Sequence, residues 1–373
     1  MSEPLRPDLF KVSFGSVPEG LYVLEIDFPL KPRILPKLKL DDFSGSSVVF
    51  LGPLQDENGY RVTLPAISKN YVSSGDIVQV RRSSVRILLS KLANSNTLLL
   101  TERCDNRCLF CSQPPKEADD SYLFAEAAMA LAEFQTESVI GLSGGEPFLD
   151  PQKAFGLLDT LDSQSLQTPI HILTNGRVFS DPSTVSTLAS YAKKRELVLG
   201  IPLYATNSSI HDAMVVAHGA WHETILGLIN LSHSEIGVEL RFIPTKLNVD
   251  ELTEIIPFVS KYFGNRFFVS VMNLEPTGWA KRNWNDLYLT PNRYGDKLLK
   301  MQRQAVLAGI NIRLFNYPLC HLPEAVMDGA VKSISDWKNT YHVECERCIK
   351  KDQCGGYFTS AKGSLLDPPR SFQ

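Results

Sequence analysis

The residues best equipped for chemistry in this 373-residue chain are its seven cysteines, which fall in two groups. Cys104, Cys108 and Cys111 stand in "TERCDNRCLFCSQPP", a Cys-x3-Cys-x2-Cys spacing directly after the apolar run "NTLLL". Three thiolates in one loop suit three corners of an iron–sulfur cube and leave the fourth iron open, whereas a ferredoxin-type loop supplies every ligand. A structural zinc would recruit a fourth Cys or His nearby, and "SQPPKEADD" offers neither. The spacing therefore points to a cluster with a free corner for a ligand. Cys320, Cys345, Cys348 and Cys354, the last followed by Gly355 and Gly356, make a complete four-thiolate set. Four ligands close a site, either a tetrahedral zinc or a fully ligated cube, and spacing alone leaves both readings open. His321 and His342 lie near this set as bystanders.

The elements that must carry these loops can be read from hydrophobic periodicity. From about residue 96 to 280, β-branched and apolar runs alternate with helical patterns, the signature of βαβ units and a parallel sheet or barrel. Strands are expected at 97–101, 138–142, 170–173, 197–203, 237–243 and 267–272. Between them "SYLFAEAAMALAEFQ" and "HETILGLINLSH" carry apolar stripes of crossover helices. Before this region, "LYVLEIDF", "SVVFLG", "YRVTLPAI" and "DIVQVRRSSVRILL" alternate with turn residues and read as a small β-rich domain. After about residue 311 the pattern weakens, and the last ten residues read as a loose tail. The expected fold is α/β, a partial six-unit barrel, with a β-rich domain at 1–92, the barrel at 93–300 and a cysteine-rich extension at 301–373.

Composition excludes several classes of function. The chain is 43% hydrophobic, with 38 basic against 41 acidic residues, and has no basic block with interleaved aromatics, which argues against a nucleic-acid partner. No apolar run is long enough for a membrane span and the first residues show no signal-peptide pattern, so no membrane partner is expected. Clustered, odd-numbered cysteines fit metal or redox chemistry in a reducing cytoplasm better than a disulfide framework.

Beyond the cysteines, "LSGGEP" follows the second expected strand. Gly144 and Gly145 lack Cβ atoms and let the backbone turn and approach a polar ligand, and Glu146 and Pro147 fix the exit. Alone such a stretch is an ordinary turn; after a cysteine loop and one crossover helix it is a candidate cofactor contact. Asn175-Gly176 in "HILTNGR" reads first as a turn. His218 and His222, four apart, read as a solvated helix face, since no third metal ligand has suitable spacing. Glu275 or Arg241 is a candidate to face the barrel interior.

"CDNRCLFC" resembles the CxxxCxxC signature of the radical S-adenosylmethionine (SAM) enzymes, and "LSGGEP" and "HILTNGR" resemble their second and third strand ends. The resemblance covers about residues 98–280. It implies that Cys104, Cys108 and Cys111 hold a SAM-binding [4Fe-4S] cluster. It further implies that a low-potential donor supplies an electron, and that SAM splits to a 5′-deoxyadenosyl radical. It assigns Gly144, Gly145, Glu146 and Pro147 to the methionyl amine of SAM, Phe110 to the adenine, and Tyr204 and Thr206 to the ribose, with Asn175 a further cofactor contact. The segment holding His211, Asp212 and Gly219-Ala220-Trp221 resembles peptide-modifying members, with His211 read as a cap or core residue. Those members often carry a C-terminal auxiliary [4Fe-4S] cluster, which the resemblance places on Cys320, Cys345, Cys348 and Cys354.

By overall layout the chain most resembles the His-Xaa-Ser system maturases, in particular their C-type (HxsC) family. That likeness implies a ribosomally made precursor peptide with His-Xaa-Ser repeats as substrate, and a second radical SAM maturase as partner. The expected function is modification, including crosslinking, of that peptide. A radical SAM enzyme acting on a small metabolite or cofactor precursor is one alternative, and a non-enzymatic zinc or electron-transfer protein is another. Front-domain strands offer an edge for β-augmentation by an extended peptide, or serve as a structural lid. No catalytic acid or base is assigned from sequence.

Overall fold

The computed structural model describes residues 73, 75–81, 84–134, 136–334 and 338–373, and in the front region the backbone of five short strands. These strands are β1 (Leu9–Lys11), β2 (Gly20–Ile26), β3 (Lys37–Leu40), β4 (Val48–Val49) and β5 (Arg61–Val62). The rest of "LYVLEIDF", "SVVFLG" and "YRVTLPAI" lies outside the described residues. The chain divides into two compact units, one of residues 1–101, 120–143 and 152–170, the other of 102–119, 144–151 and 171–373.

In the first unit, β6 (Ile77–Arg81) and β7 (Ser84–Leu89) form a hairpin inside a five-stranded sheet of order β1-β7-β6-β2-β3. β2 and β3 pair parallel and the other neighbours antiparallel. Buried Asp76 accepts the backbone N–H groups of Ser73 (2.8 Å) and Lys91 (2.6 Å), tying the chain that enters β6 to the chain that leaves β7. β8 (Asn96–Thr101) and β9 (Ile140–Gly144) flank α1 (Tyr122–Phe134), whose alanine-rich sequence favours helix and buries Ala127, Ala130, Leu131 and Phe134. Thr101 Oγ1 donates to the buried Asp120 carboxylate at 3.1 Å, fixing where the chain returns to enter α1. α2 (Pro151–Ser163) buries Ala154, Leu157, Leu158 and Leu161 at helical spacing.

The second unit carries β10 (Ile170–Leu173), β11 (Leu197–Pro202), β12 (Gly237–Phe242), β13 (Phe268–Met272), β14 (Ile312–Phe315) and β15 (Ala330–Val331). Strands β8 to β15 form the central parallel sheet in chain order. Neighbours from β11 to β15 pair parallel, with Gly200 opposite Glu239 and Arg241 opposite Ser270. All six expected strands are present, within two residues of their expected starts. Two more, β14 and β15, extend the sheet beyond six, where the sequence pattern weakens. The intervening helices are α3 (Pro182–Ala192), α4 (Ser208–Val215), α5 (Ala220–Ser232) and α6 (Ile255–Phe263). α7 (Gly278–Arg282), α8 (Trp284–Leu287) and α9 (Gly295–Ala308) follow β13.

Local chemistry explains the helix starts. Asp181 caps α3 by accepting from Ser183 N–H at 2.9 Å, with Pro182 at the first helical position. α5 buries Ile225, Leu228 and Leu231, roughly 1.5–3 kcal/mol each. It seats so closely on the turn after β10 that a Cβ on Gly227 would lie 2.5 Å from the Gly176 carbonyl oxygen. A last pair, β16 (Asn339–Thr340) with β17 (Tyr357–Phe358), is antiparallel and holds the C-terminal region. Among the described residues no helix is long and apolar enough to cross a membrane.

Candidate active site

Cys104, Cys108 and Cys111 lie on the loop of 102–119, which other loops of the second unit hold by its backbone. Arg107 N–H and Leu109 N–H each donate at 2.9 Å, to Val215 O and Met214 O at the end of α4. The Cys111 carbonyl accepts from Trp279 N–H (2.8 Å) and the Leu109 carbonyl from Asn283 Nδ2 (2.7 Å). Gly278 has φ +50°, and a Cβ there would lie 2.3 Å from Cys111 O. Asn106 N–H points at Cys104 Sγ at 3.4 Å.

The GGEP stretch meets the same loop. Glu146 N–H donates to Arg103 O at 2.8 Å, and a Cβ on Gly145 would stand 2.1 Å from that oxygen and 3.0 Å from Cys104 Cβ. Gly145 is thus required for backbone to meet backbone beside the first cysteine. The Glu146 carboxylate is buried and turned inward, accepting from Thr174 Oγ1 (2.7 Å), Asn175 N–H (2.6 Å) and Phe148 N–H (2.9 Å). Burial pushes its carboxyl up to about 7 despite those three bonds. Its side chain is committed to the protein, so a ligand contact from this motif would fall to backbone groups of Gly144 to Pro147.

Asn175 links rather than points outward. Its Nδ2 donates to Asp105 Oδ1 (2.6 Å) and its Oδ1 accepts from Arg177 N–H (3.0 Å), while Gly176 takes φ +80° as the turn requires. Arg177, which the sequence reading did not single out, ties three segments together. It contacts Asp105 Oδ2 (2.9 Å), Asn106 Oδ1 (2.9 Å) and Glu223 Oε2 of α5 (2.5 Å). The signal was its place directly after the Asn-Gly turn.

Phe110 and Tyr204 are both buried and meet edge to face, centroids 4.8 Å apart, in a cluster with Met214, Leu274, Trp284 and Leu287. Tyr204 N–H donates to His211 Nδ1 at 3.3 Å and Tyr204 O accepts from Asn248 Nδ2 at 2.9 Å. Burial drives His211 down to about 4, against the opposing pull of Asp212, so it is a neutral packing residue, as the sequence suggested. Asp212 accepts from Gly219 N–H and Trp221 N–H, each 2.7 Å, and so starts α5. Thr206 N–H and Oγ1 both donate to Glu251 Oε2, at 2.6 and 2.7 Å, which commits the hydroxyl assigned to ribose. His218 and His222 are exposed, His218 in the turn before α5. Glu275 is half-buried and burial pushes its carboxyl up, with Lys338 opposing.

The three thiols fit the group that the spacing implies. Burial pushes Cys104 up to about 12, helped by Glu146, Asp105 and Cys111. Cys108 is pushed up by burial and then by Cys111 and Cys104. Crowded, half-buried thiols raised in this way are poor thiolates alone, and the positive charge of a metal centre would favour such a set.

The other four cysteines, Cys320, Cys345, Cys348 and Cys354, line one pocket that opens to solvent. Cys354 Sγ accepts from Leu319 N–H (3.4 Å) and Gly356 N–H (3.3 Å), and Tyr357 Oη stands 3.8 Å from Cys320 Sγ. Among the described residues no three His, Cys, Asp or Glu side chains close on a single ion. Four thiols on the wall of one pocket are a donor set that fits a four-ligand metal centre. His342 caps a short turn, its Nδ1 accepting from Glu344 N–H at 3.4 Å, and does not line the cavity. His321 is buried against the set, Nε2 3.2 Å from Tyr357 Oη and 3.1 Å from Pro368 O.

The last residues are no loose tail. Pro369, Arg370, Ser371 and Phe372 line that cavity, Phe372 O accepts from Ile349 N–H at 3.2 Å, and Asp367 accepts from Tyr288 Oη. Proline-rich, aperiodic sequence hid this, because the segment is held by individual contacts and not by an element.

An α/β chain with a parallel sheet and a three-cysteine loop after its first strand defines a class. Residues 98–258 match the model of the Radical SAM superfamily. No curated protein matches the sequence. Among solved structures it is similar to SuiB of Streptococcus suis, at 18% identity over 68% of this chain and 55% of that one, TM-score 0.48. It is similar to the same protein bound to precursor peptide SuiA at 16% identity over 58% and 48%, TM-score 0.46. It is also similar to anSMEcpe with bound AdoMet and Cp18Cys peptide, at 16% identity over 58% and 62%, TM-score 0.44. The chain thus spans about half to three-fifths of the length of these proteins.

Proposed function

We propose that this protein is a radical SAM enzyme that reductively cleaves SAM and uses the chemistry to modify a ribosomally made precursor peptide. The observation that carries the reading is the loop of Cys104, Cys108 and Cys111, half-buried and held in place by its backbone within the segment that matches the Radical SAM superfamily. These cysteines would hold three corners of a [4Fe-4S] cluster. With SAM bound, that group supplies hydrogen-atom abstraction from an unactivated C–H bond. The chain's own work is to position: Gly145 admits the cysteine loop, Arg177 and Asn175 pin it through Asp105, and Phe110 and Tyr204 keep water from one side.

Cys320, Cys345, Cys348 and Cys354 would hold an auxiliary [4Fe-4S] cluster, supported by their shared cavity and by N–H donors aimed at Cys354 Sγ. An acceptor there permits net oxidation of the peptide, such as a crosslink. The barrel at 93–300, the extension at 301–373 and the front domain at 1–92 are the divisions this reading uses. A precursor with His-Xaa-Ser repeats, a second maturase and a low-potential donor are the partners that the sequence likeness favours.

The test is anaerobic reconstitution of the full chain with iron and sulfide, followed by SAM, a low-potential reductant and the precursor. The expected result is 5′-deoxyadenosine together with a peptide lighter by two hydrogens. A chain that holds only zinc, or never cleaves SAM, refutes the enzyme. SAM cleavage that leaves every candidate peptide unaltered refutes the substrate.

A further inference from the structure

On one face of the sheet, the four consecutive strands β10 to β13 bring charged and polar side chains together that the cysteine chemistry does not use. The opposite face is uniformly apolar and buried: Leu199, Ile201, Leu240, Val269 and Val271 are at most 1% exposed. On the polar face, β10 contributes His171, β12 contributes Glu239 and Arg241, and β13 contributes Ser270 and Met272. Gly200 of β11 lies between them. A Cβ there would stand 2.9 Å from His171 Nε2 and 3.2 Å from Arg241 Cδ, so the missing side chain is what lets His171 and Arg241 converge.

Their polar atoms are close but unsatisfied. Glu239 Oε2 lies 3.0 Å from His171 Nε2 and 3.8 Å from Arg241 Nε. His171 Nε2, Glu239 Oε2, Arg241 Nε and Ser270 Oγ are each buried without a hydrogen-bond partner. Glu239 is 4% and Ser270 0% exposed, and Arg241 Nη2 spends a donor on a thioether, Met272 Sδ, at 3.1 Å. A buried polar atom left unpaired is costly, and four in one place call for a partner. The place is reachable, since the His171 and Arg241 side chains are 28% and 27% exposed. Glu239 and Arg241 balance one another in charge. Burial pushes the Glu239 carboxyl up, but His171 and then Arg241 more than offset it, and it stays below the usual carboxylate range.

We propose that His171, Glu239, Arg241 and Ser270 form a binding site for an uncharged substrate side chain that both donates and accepts hydrogen bonds. Glu239 and Ser270 accept from its donor, and Arg241 donates to its acceptor. A net-neutral site with an acceptor beside a guanidinium selects a hydroxyl or an imidazole over a carboxylate or an amine. The inference deepens the peptide-modifying reading and rests on it for the source of the group, a serine or histidine of the precursor. The recognition itself rests on the four unpaired atoms.

The experiment measures equilibrium binding to the reconstituted full chain with SAM present, for wild type, Glu239→Gln, Ser270→Ala and Gly200→Ala. Two probes are used: N-acetylserinamide, followed by ligand-observed NMR, and a synthetic peptide of His-Xaa-Ser repeats. SAM affinity, iron content and melting temperature are followed in parallel. Both probes are expected to bind wild type saturably. Glu239→Gln should weaken them about tenfold, and Ser270→Ala by less. Gly200→Ala, which fills the space without removing a polar group, should weaken them as well, with SAM affinity within about twofold of wild type. Failure of both probes to bind, probe binding indifferent to all three substitutions in folded protein, or a loss confined to SAM overturns the site. Binding of N-acetylserinamide that the substitutions weaken, with no binding of the repeat peptide, upholds the site and overturns the peptide source. Should Glu239→Gln not fold, Ser270→Ala and Gly200→Ala decide the outcome.

Discussion

The two cysteine sites of this molecule are built by opposite means. The first packs Cys104, Cys108 and Cys111 into eight residues and immobilises them from outside, through backbone bonds from the ends of three other elements and a glycine that admits the loop. The second gathers Cys320, Cys345, Cys348 and Cys354 across 35 residues and encloses them with the chain's last segment. One of its thiols also differs in sign. Burial and neighbouring carboxylates or thiols raise Cys104 and Cys108, and burial likewise raises Cys345 and Cys354, whereas at Cys320 burial is outweighed by His321, the Arg370 N–H and Tyr357 together and the thiol falls below its ordinary range. A site that must leave one metal corner for an exchanging ligand relies on rigid surroundings, while a site that supplies four ligands can let the metal organise the chain.

That contrast is most sharply broken by exchanging ligands. Cys108→Ser is expected to abolish 5′-deoxyadenosine formation and remove one cluster's iron, while Cys345→Ser with Cys348→Ser should remove the other cluster and the modified peptide but let SAM cleavage proceed. Iron analysis and product chromatography on the same samples read this out. Equal loss of SAM cleavage in both variants would erase the distinction.

Gly145→Ala comes next. Its Cβ would sit 2.1 Å from Arg103 O, so the cysteine loop must move, at a cost of about 1–3 kcal/mol. The expected outcome is a lower melting temperature and selective loss of the first cluster's spectroscopic signal. Arg177→Met, which releases Asp105 and Asn106 without touching a cysteine, should weaken iron retention at the first site by about 10–100-fold, as outer-shell partners do. Retention in a chelator challenge measures it.

The surroundings of the first site also carry a pH signature. His211 in the fold titrates at about 4, below its ordinary 6.5, because burial disfavours its charged form. Its contribution, about 3 kcal/mol, is therefore present above pH 6.5 and is lost as pH falls from 6.5 toward 4. Melting curves across that window should flatten in His211→Gln relative to wild type.

How far the sequence carried follows from the range of the signals. The cysteine loop, the GGEP turn and six strands were legible because each is local: a spacing, a dipeptide, a run of alternating or apolar residues. β14 and β15 were not, being four and two residues long, with Arg313 exposed in the first and Val331 partly exposed in the second. Arg177 and Asp105, 72 positions apart, meet only when the fold brings two loops together, and no local pattern announces that. The same holds for the polar face, where His171, Glu239 and Ser270 lie on separate strands. Asp367 and Phe372 were misread because the segment around them has no periodicity to show that it is held.

The central claim is that an iron corner beside Cys104, Cys108 and Cys111 is left for SAM, and the most direct measurement is Mössbauer and EPR spectroscopy of anaerobically reconstituted chain with and without SAM. The account predicts two [4Fe-4S] signals, one of which changes on adding SAM and disappears in Cys108→Ser. Two clusters both indifferent to SAM, or no iron at the first loop, would contradict it.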